Sequence, residues 1–286
     1  MDRTIALIGC GKAGLSVALA MKNAGWSLAG CASGTPDSAR RGSDWLACPV
    51  LNLPEDLPRS VPLIVAVPDR ALSTEDRRIA DEDLHLRGRI VLHLSGALPA
   101  RALNACRLGG ARVGSLHPIM TLPDPLQGAK RLREATFAIE GRPEAVLLME
   151  AIARDISGRH FTLSPRTKTL YHAAAVTASN HLVALLSESQ ELLILAGADP
   201  ALAKPAFEAL VRGTLENFYA SEAVQALTGP VERADEKIVS GHLKALRKWP
   251  ERRVLYAALA RKTLSVARRK HPEREEVYAV LEKLLV

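Results

Sequence analysis

Aromatic residues are scarce in this 286-residue chain: three Trp, four Tyr and four Phe, 4% of the sequence. A surface that stacks nucleic-acid bases needs more of them. The basic surplus, 38 Lys and Arg against 31 Asp and Glu for a net charge of +7, is scattered, with local clusters only at Arg40 and Arg41 and at Arg268, Arg269 and Lys270. Solvated surface charge together with a site for a phosphorylated anion accounts for it, and no nucleic-acid partner is expected. Long apolar runs are absent too; none reaches the roughly 18 to 20 residues that span a bilayer. The opening MDRTIALIGCGKAG has an apolar stretch of about five residues running straight into glycines, unlike a secretion signal. A cytoplasmic protein without membrane attachment is expected. The four cysteines, Cys10, Cys31, Cys48 and Cys106, lack the close spacing of a zinc knuckle or a redox dithiol, so they read as small buried residues and no metal site is expected.

What is present points to two folded domains, since a single core seldom grows beyond roughly 200 residues. Hydrophobic residues at 48% and charged residues at 24% are ordinary for a folded protein. Up to residue 164, β-rich runs at 4–8, 27–32, 63–67, 90–94, 112–115, 136–140 and 160–163 alternate with helical patterns such as 13–23 and 143–156. Several runs are continuously apolar, as in strands covered on both faces. The expected class is α/β, a doubly wound parallel sheet over 1–164. From 165 to 286 strand signals stop, and breaks near Gly197, Gly229, Trp249 and His271 delimit helices, the longest at about 166–196. An all-helical second domain follows.

Gly9-Cys10-Gly11-Lys12-Ala13-Gly14 fits G-x-G-x-x-G between a strand and a helix, the context that gives this pattern meaning. Gly9 would make the tight turn, Gly11 would let a pyrophosphate reach the backbone, and Gly14 would let helix and strand pack closely. Lys12 and Ala13 begin the helix whose free N–H groups face the phosphates. About 20 residues on, where an acid would bind the ribose hydroxyls of NAD, the chain reads Gly30-Cys31-Ala32-Ser33-Gly34-Thr35 and has none. Ser33 and Thr35 offer hydroxyls there, with Arg40 and Arg41 close behind as partners for a 2′-phosphate. NADP is therefore favoured over NAD, although Asp37 lies in the same loop. Val67 and Pro68 close one strand, and Ser95 and Gly96 follow another. Both segments are candidates for bordering the nicotinamide half. His117, expected just past a strand, is a further candidate.

The start of the helical half, Lys168 through His181, carries polar groups along one edge of an apolar segment. At about 100° per residue Lys168 and His172 lie about 40° apart, Ser179 falls between them, and Asn180 is about 80° from His172. Buried, such groups need partners, which a cleft holding a cofactor would supply. Farther on, Asp235 is expected to cap a helix, while Arg233 and His242 fit a surface role equally well.

The combination GCGKAG, LSGALP, GSLHP, Lys168-x-x-x-His172 with AAAV-x-ASNHL, and GPVERAD resembles a bacterial family that pairs a Rossmann-like domain with a helical domain of unknown function. That family is similar to ketopantoate reductase, pyrroline-5-carboxylate reductase and the β-hydroxyacid dehydrogenases. The resemblance implies a helical half like the C-terminal domain of 6-phosphogluconate dehydrogenase, a homodimer made through it, and a small-molecule substrate. In the ketopantoate reductase and β-hydroxyacid dehydrogenase relatives, Lys-x-x-x-Asn supplies a proton-donating lysine and a substrate-orienting asparagine. Lys168 stands at the lysine position here, with His172 in place of the asparagine. The expected activity is hydride transfer between NADP(H) and a small carbonyl or imine, with Lys168 and His172 as candidate proton donors and His117 and Asn180 positioning substrate. The alternative is a dinucleotide-binding regulatory or scaffold protein without turnover.

Overall fold

The computed structural model describes residues 3–52, 56, 61–83 and 85–286. Its first strand, β1 (Thr4–Ile8), sends Ile5 and Leu7 into one hydrophobic core and Ala6 and Ile8 into another. A strand has period two, so cores on both faces mean a sheet sandwiched between helical layers.

After β1 come α1 (Lys12–Asn23), β2 (Ser27–Ala32), α2 (Pro36–Leu46), β3 (Leu63–Val65), α3 (Asp69–Glu82), β4 (Ile90–His93) and α4 (Asn104–Leu108). The sheet is completed by β5 (Arg112–Ile119), then α5 (Pro125–Arg131), β6 (Thr136–Gly141), α6 (Pro143–Ile156) and β7 (His160–Thr162). The seven strands lie in the order β2-β1-β3-β4-β5-β6-β7, all neighbours parallel except the antiparallel pair β5–β6. On the free edge of β2, Cys31 forms a parallel bridge with Val50, held by Cys31 N–H to Pro49 O at 2.9 Å and Leu51 N–H to Cys31 O at 2.8 Å. That bridge stands where a doubly wound sheet of order 3-2-1-4-5 has its third strand. The chain reverses its direction of winding between β1 and β3, and ligands of open α/β sheets bind beyond the C-terminal strand ends at such a point.

Three sequence expectations shift. The strand expected at 63–67 ends at Val65, and Ala66 and Val67 lead into Pro68, the N-cap of α3. The strand expected at 112–115 continues to Ile119, so His117 lies within β5 rather than past it. Beyond Ser115 the strand β5 pairs with β6 alone, and an edge accommodates Pro118. The helix expected at 166–196 is interrupted: α7 (Lys168–Val176) passes through a π turn, Thr177–His181, before α8 (Leu182–Leu195).

The chain divides into two compact units, Met1–Leu182 and Val183–Val286. The second holds the rest of α8, then α9 (Pro200–Ala220), α10 (Ala223–Ala226), α11 (Glu236–Ala245), α12 (Pro250–Lys270) and α13 (Glu275–Leu284). Val239, Leu243, Leu264, Tyr278 and Leu281 form the centre of its core. By contrast α8, rich in leucine, buries no residue within the chain, and α9 buries only Ala203. Among the described residues no helix is long and apolar enough to cross a membrane.

Close packing of α1 on the sheet depends on Gly14: a Cβ there would lie 2.2 Å from Gly9 O and 2.8 Å from the Ala66 Cβ. Backbone on one side leaves little room to yield. Gly14→Ala is expected to lower unfolding free energy by about 2 kcal/mol or more in urea titration, the usual penalty of overpacking.

Candidate active site

The glycine turn is built as the motif requires. Gly9 has φ +101°, and a Cβ on it would meet Ala66 O at 2.5 Å, so only glycine fits between β1 and β3. Gly11 is the N-cap of α1, has no side-chain cap and has nothing within 4 Å of an added Cβ. The first turn of α1 contains no acid, and Lys12 and Ala13 are exposed. A helix start with free N–H groups, open backbone and no competing carboxylate fits a pyrophosphate. Behind the turn, Cys10 N–H meets Ser33 Oγ at 3.5 Å, and Ser33 Oγ bonds Ser38 Oγ at 2.9 Å. Thr35 Oγ1 accepts from Ser38 N–H at 3.3 Å and caps α2. Arg40 and Arg41 are exposed on α2; Arg40 is paired with Asp37, whereas Arg41 makes no side-chain bond among the described residues. Val67 is half-buried and Pro68 exposed at the end of β3, the strand beside β1.

A second group of polar residues gathers where β4, β5, β6 and the start of α7 meet. Lys168 is only 1% exposed, and its ammonium donates to Ser115 Oγ at 2.7 Å. The Ser115 hydroxyl in turn donates to Ser95 O at 3.2 Å. Ser95 Oγ accepts from the N–H groups of Ala97 and Leu98, fixing the loop after β4. His93, buried at the end of β4, accepts Ser95 N–H on Nδ1 at 3.1 Å. Its Nε2 lies 3.1 Å from Pro99 O and must carry the proton. Glu140, directly opposite Ser115 across the β5–β6 ladder, is buried and accepts Ala100 N–H at 2.6 Å.

His117 Nδ1 forms a short hydrogen bond with the Tyr171 hydroxyl. A Cβ on Gly96 would sit 2.7 Å from His117 Nε2, so the missing side chain is what admits the imidazole over the loop. Tyr171 also lies under Lys168, the ammonium 5.5 Å from its ring centroid, within cation–π range. His172 packs edge-on against His117 at 6.5 Å between ring centroids. Its Nδ1 is buried and has no hydrogen-bond partner among the described residues. Such an orphan is a group that a ligand can satisfy.

Burial sets the charge states. It lowers both His93 and His117 to about 4, with the Lys168 charge adding to the effect at each. Both imidazoles are therefore neutral at physiological pH. Burial also brings Lys168 down to about 8, against the pull of Glu140 and Asp69. The Tyr171 phenol is pushed up to about 12 by desolvation, so it keeps its proton and donates to His117 Nδ1. His117 Nε2–H is thereby left as a donor on the Gly96 side. The arrangement combines an amine near its protonation midpoint with two fixed neutral imidazoles, as proton transfer at neutral pH requires.

Residues 2–118 match the family model of the Rossmann-like domain, and residues 135–263 that of DUF2520, a domain of unknown function. The chain pairs a Rossmann-like domain with a DUF2520 domain. Ser115 and His117 come from the first and Glu140, Lys168 and Tyr171 from the DUF2520 segment, so the polar cluster draws on both. No curated protein matches the sequence. Among solved structures, protein TM1727 from Thermotoga maritima is 26% identical with a TM-score of 0.75, covering 93% of this chain and 99% of its own. Protein BF3122 from Bacteroides fragilis, provisionally named an NADP oxidoreductase, is 25% identical with a TM-score of 0.71, covering 92% and 98%. A pyrroline-5-carboxylate reductase from Coxiella burnetii shares the fold at 14% identity, with a TM-score of 0.60 and coverage of 91% and 97%.

Of the residues singled out in the sequence, Lys168, His172, His117, Ser95 and Gly96 come together. Ser179 and Asn180 do not: both are exposed, and Asn180 makes no side-chain hydrogen bond among the described residues. The helical projection that aligned them with Lys168 assumes an unbroken α-helix, and the π turn at Thr177–His181 breaks it. In the second unit Asp235 caps α11 as expected, accepting Ile238 N–H at 3.3 Å, while Arg233 is exposed and His242 Nδ1 lies 2.8 Å from the Tyr256 hydroxyl. The sequence reading missed Ser115, Tyr171, His93 and Glu140. For His93 and Glu140 a signal existed: a polar residue inside the apolar run IVLHL, and a carboxylate directly after the apolar Phe137-Ala138-Ile139.

The depressed histidines and lysine fix the pH dependence of stability. With folded values below unfolded ones, the unfolded chain binds more protons between pH 4 and 6.5 and again between pH 8 and 10.5. The histidine contribution is present above pH 6.5 and is lost as pH falls towards 4. Lys168 acts against stability below about 8. Lys168→Met is accordingly expected to raise unfolding free energy at pH 7 by about 1–3 kcal/mol, with the gain fading above pH 10, in denaturant titrations at several pH values.

Proposed function

We propose that the chain is an NADP-dependent oxidoreductase that moves hydride between NADP(H) and a small carbonyl or imine compound. The observation that carries this reading is the buried Lys168 ammonium, bonded to Ser115 and close to the neutral His117 and to His172, whose Nδ1 has no hydrogen-bond partner among the described residues, in the same compact unit as a glycine turn fit for a pyrophosphate.

Gly9, Gly11, Lys12, Ala13 and Gly14 would hold the pyrophosphate, and Val67, Pro68, Ser95 and Gly96 would border the nicotinamide half. Ser33, with Arg40 and Arg41 on the following helix, favours the 2′-phosphate of NADP: the end of β2 offers a hydroxyl and no acid to the ribose. Bound there, the dinucleotide supplies or accepts the hydride. Lys168, protonated below about pH 8, donates a proton to the oxyanion or amine that develops as a substrate is reduced. His117 Nε2–H and His172 orient the polar group of the substrate. Related folds support the choice of cofactor, among them a reductive aminase from Aspergillus terreus in complex with NADPH and a pyrroline carboxylate reductase from Plasmodium falciparum with NADP bound. The uncovered faces of α8 and α9, including Val183, Leu202, Leu210 and Phe218, support a homodimer formed through the helical unit.

NADPH should raise the melting temperature more than NADH does, as any ligand of the native state must. NADPH should also be oxidised against at least one member of a panel of 2-oxo acids, β-keto acids and cyclic imines. In Lys168→Met, kcat/KM for that substrate should fall by about 100-fold or more. A change within about threefold would remove Lys168 from the chemistry. Stabilisation by NADPH with no turnover across the panel would favour a regulatory or scaffold protein. Light scattering should give about twice the 30.8 kDa chain mass.

A further inference from the structure

The hydrogen bond to Ser115 occupies one of three ammonium donors on Lys168, and a hydroxyl brings no negative charge. At 1% exposure an ammonium without a counter-charge would lose its proton near neutrality. The ionisable groups around it are few. His93 on β4 and His117 on β5 are neutral, and Tyr171 and His172 share its own helix. Asp69, at the start of α3, carries a negative charge but is exposed to solvent. Glu140 differs from all of these. It stands directly across the antiparallel ladder from Ser115, so the two side chains share one face of the sheet. It is 4% exposed, and its carboxylate is pinned by Ala100 N–H at 2.6 Å. That bond also ties it to the loop that begins at Ser95, whose carbonyl receives the Ser115 hydroxyl.

We propose that Glu140 is a positioning residue for this site: a fixed carboxylate beside Ser115 that holds Lys168 as an ammonium and sets the pH range in which it can give up a proton. The role rests on reading Lys168 as the proton donor. Glu140 touches neither substrate nor cofactor and acts only through the lysine. A carboxylate buried on a strand, bonded to a backbone N–H at a set distance, keeps its place while the loop and helix around it accept ligands. Asp69 acts in the same direction, weakened by solvent.

Lys168 can be titrated by NMR in the full chain labelled with ε-13C-lysine, its signal being identified by its loss in Lys168→Met. The wild-type lysine should titrate at about 8. In Glu140→Gln, which keeps an acceptor for Ala100 N–H, the midpoint should fall by about one pH unit or more, a tenfold loss of proton affinity. Asp69→Asn should give a smaller fall. Glu140→Asp, which draws the carboxylate back by one methylene, should lower the Lys168 midpoint by less than Glu140→Gln does. A lysine midpoint that stays within about 0.3 unit in folded Glu140→Gln would overturn the assignment. Should Glu140→Gln not fold, Glu140→Asp decides alone, and a lysine midpoint unmoved in it overturns the assignment. No substrate enters either titration, so failure here is distinct from failure to oxidise NADPH.

Discussion

A charged amine held out of water is the constraint around which the first compact unit is organised. Lys168 is delivered by the first turn of α7 to the Ser115 hydroxyl, which is itself aligned by the Ser95 carbonyl. Desolvating an ammonium is costly, and proteins seldom do so without a partner or a use for the charge. Here the sheet supplies the partner, since β6 runs antiparallel to β5 and thereby sets Glu140 against Ser115. The two neutral imidazoles follow from the same environment. With one cation already buried, the site cannot hold two more beside it, and burial keeps His93 and His117 uncharged.

The glycine turn and the polar cluster make different demands on the sequence, which explains why one is easier to read than the other. Gly9 sits at positive φ against Ala66 O, and Gly14 sits against Gly9 O; no other residue type satisfies either position. A motif imposed by backbone contact is legible as a string. The apolar runs of β1 to β6 are legible for a similar reason, because strands buried on both faces tolerate few polar residues. Strand direction is not. A run such as Thr136 to Gly141 looks the same whichever way it pairs, and the antiparallel β5–β6 ladder emerges only in three dimensions.

The chemistry of the cluster lies between these cases. Lys168 and His172 are visible as polar residues one turn apart in an alanine-rich segment. Ser179 and Asn180 are wrongly aligned with them, because the projection assumes a constant turn angle through residues that form a π turn. Glu140 and His93 are hidden among apolar neighbours, where one polar residue is readily taken for a strand end. Ser115 and Tyr171 carry no signal of their own, since a serine or tyrosine acquires meaning only from what it touches.

The most direct measurement of the central claim is a crystal structure of the chain with NADPH and a non-reacting carbonyl compound bound together. If the account is right, the nicotinamide lies over the loop that begins at Ser95, and the carbonyl oxygen held against its hydride-bearing carbon falls within about 3 Å of the Lys168 ammonium or the His117 Nε2–H. A nicotinamide turned away from Lys168, with the ammonium still closed on Ser115 and His172 Nδ1 still without a partner, would contradict it.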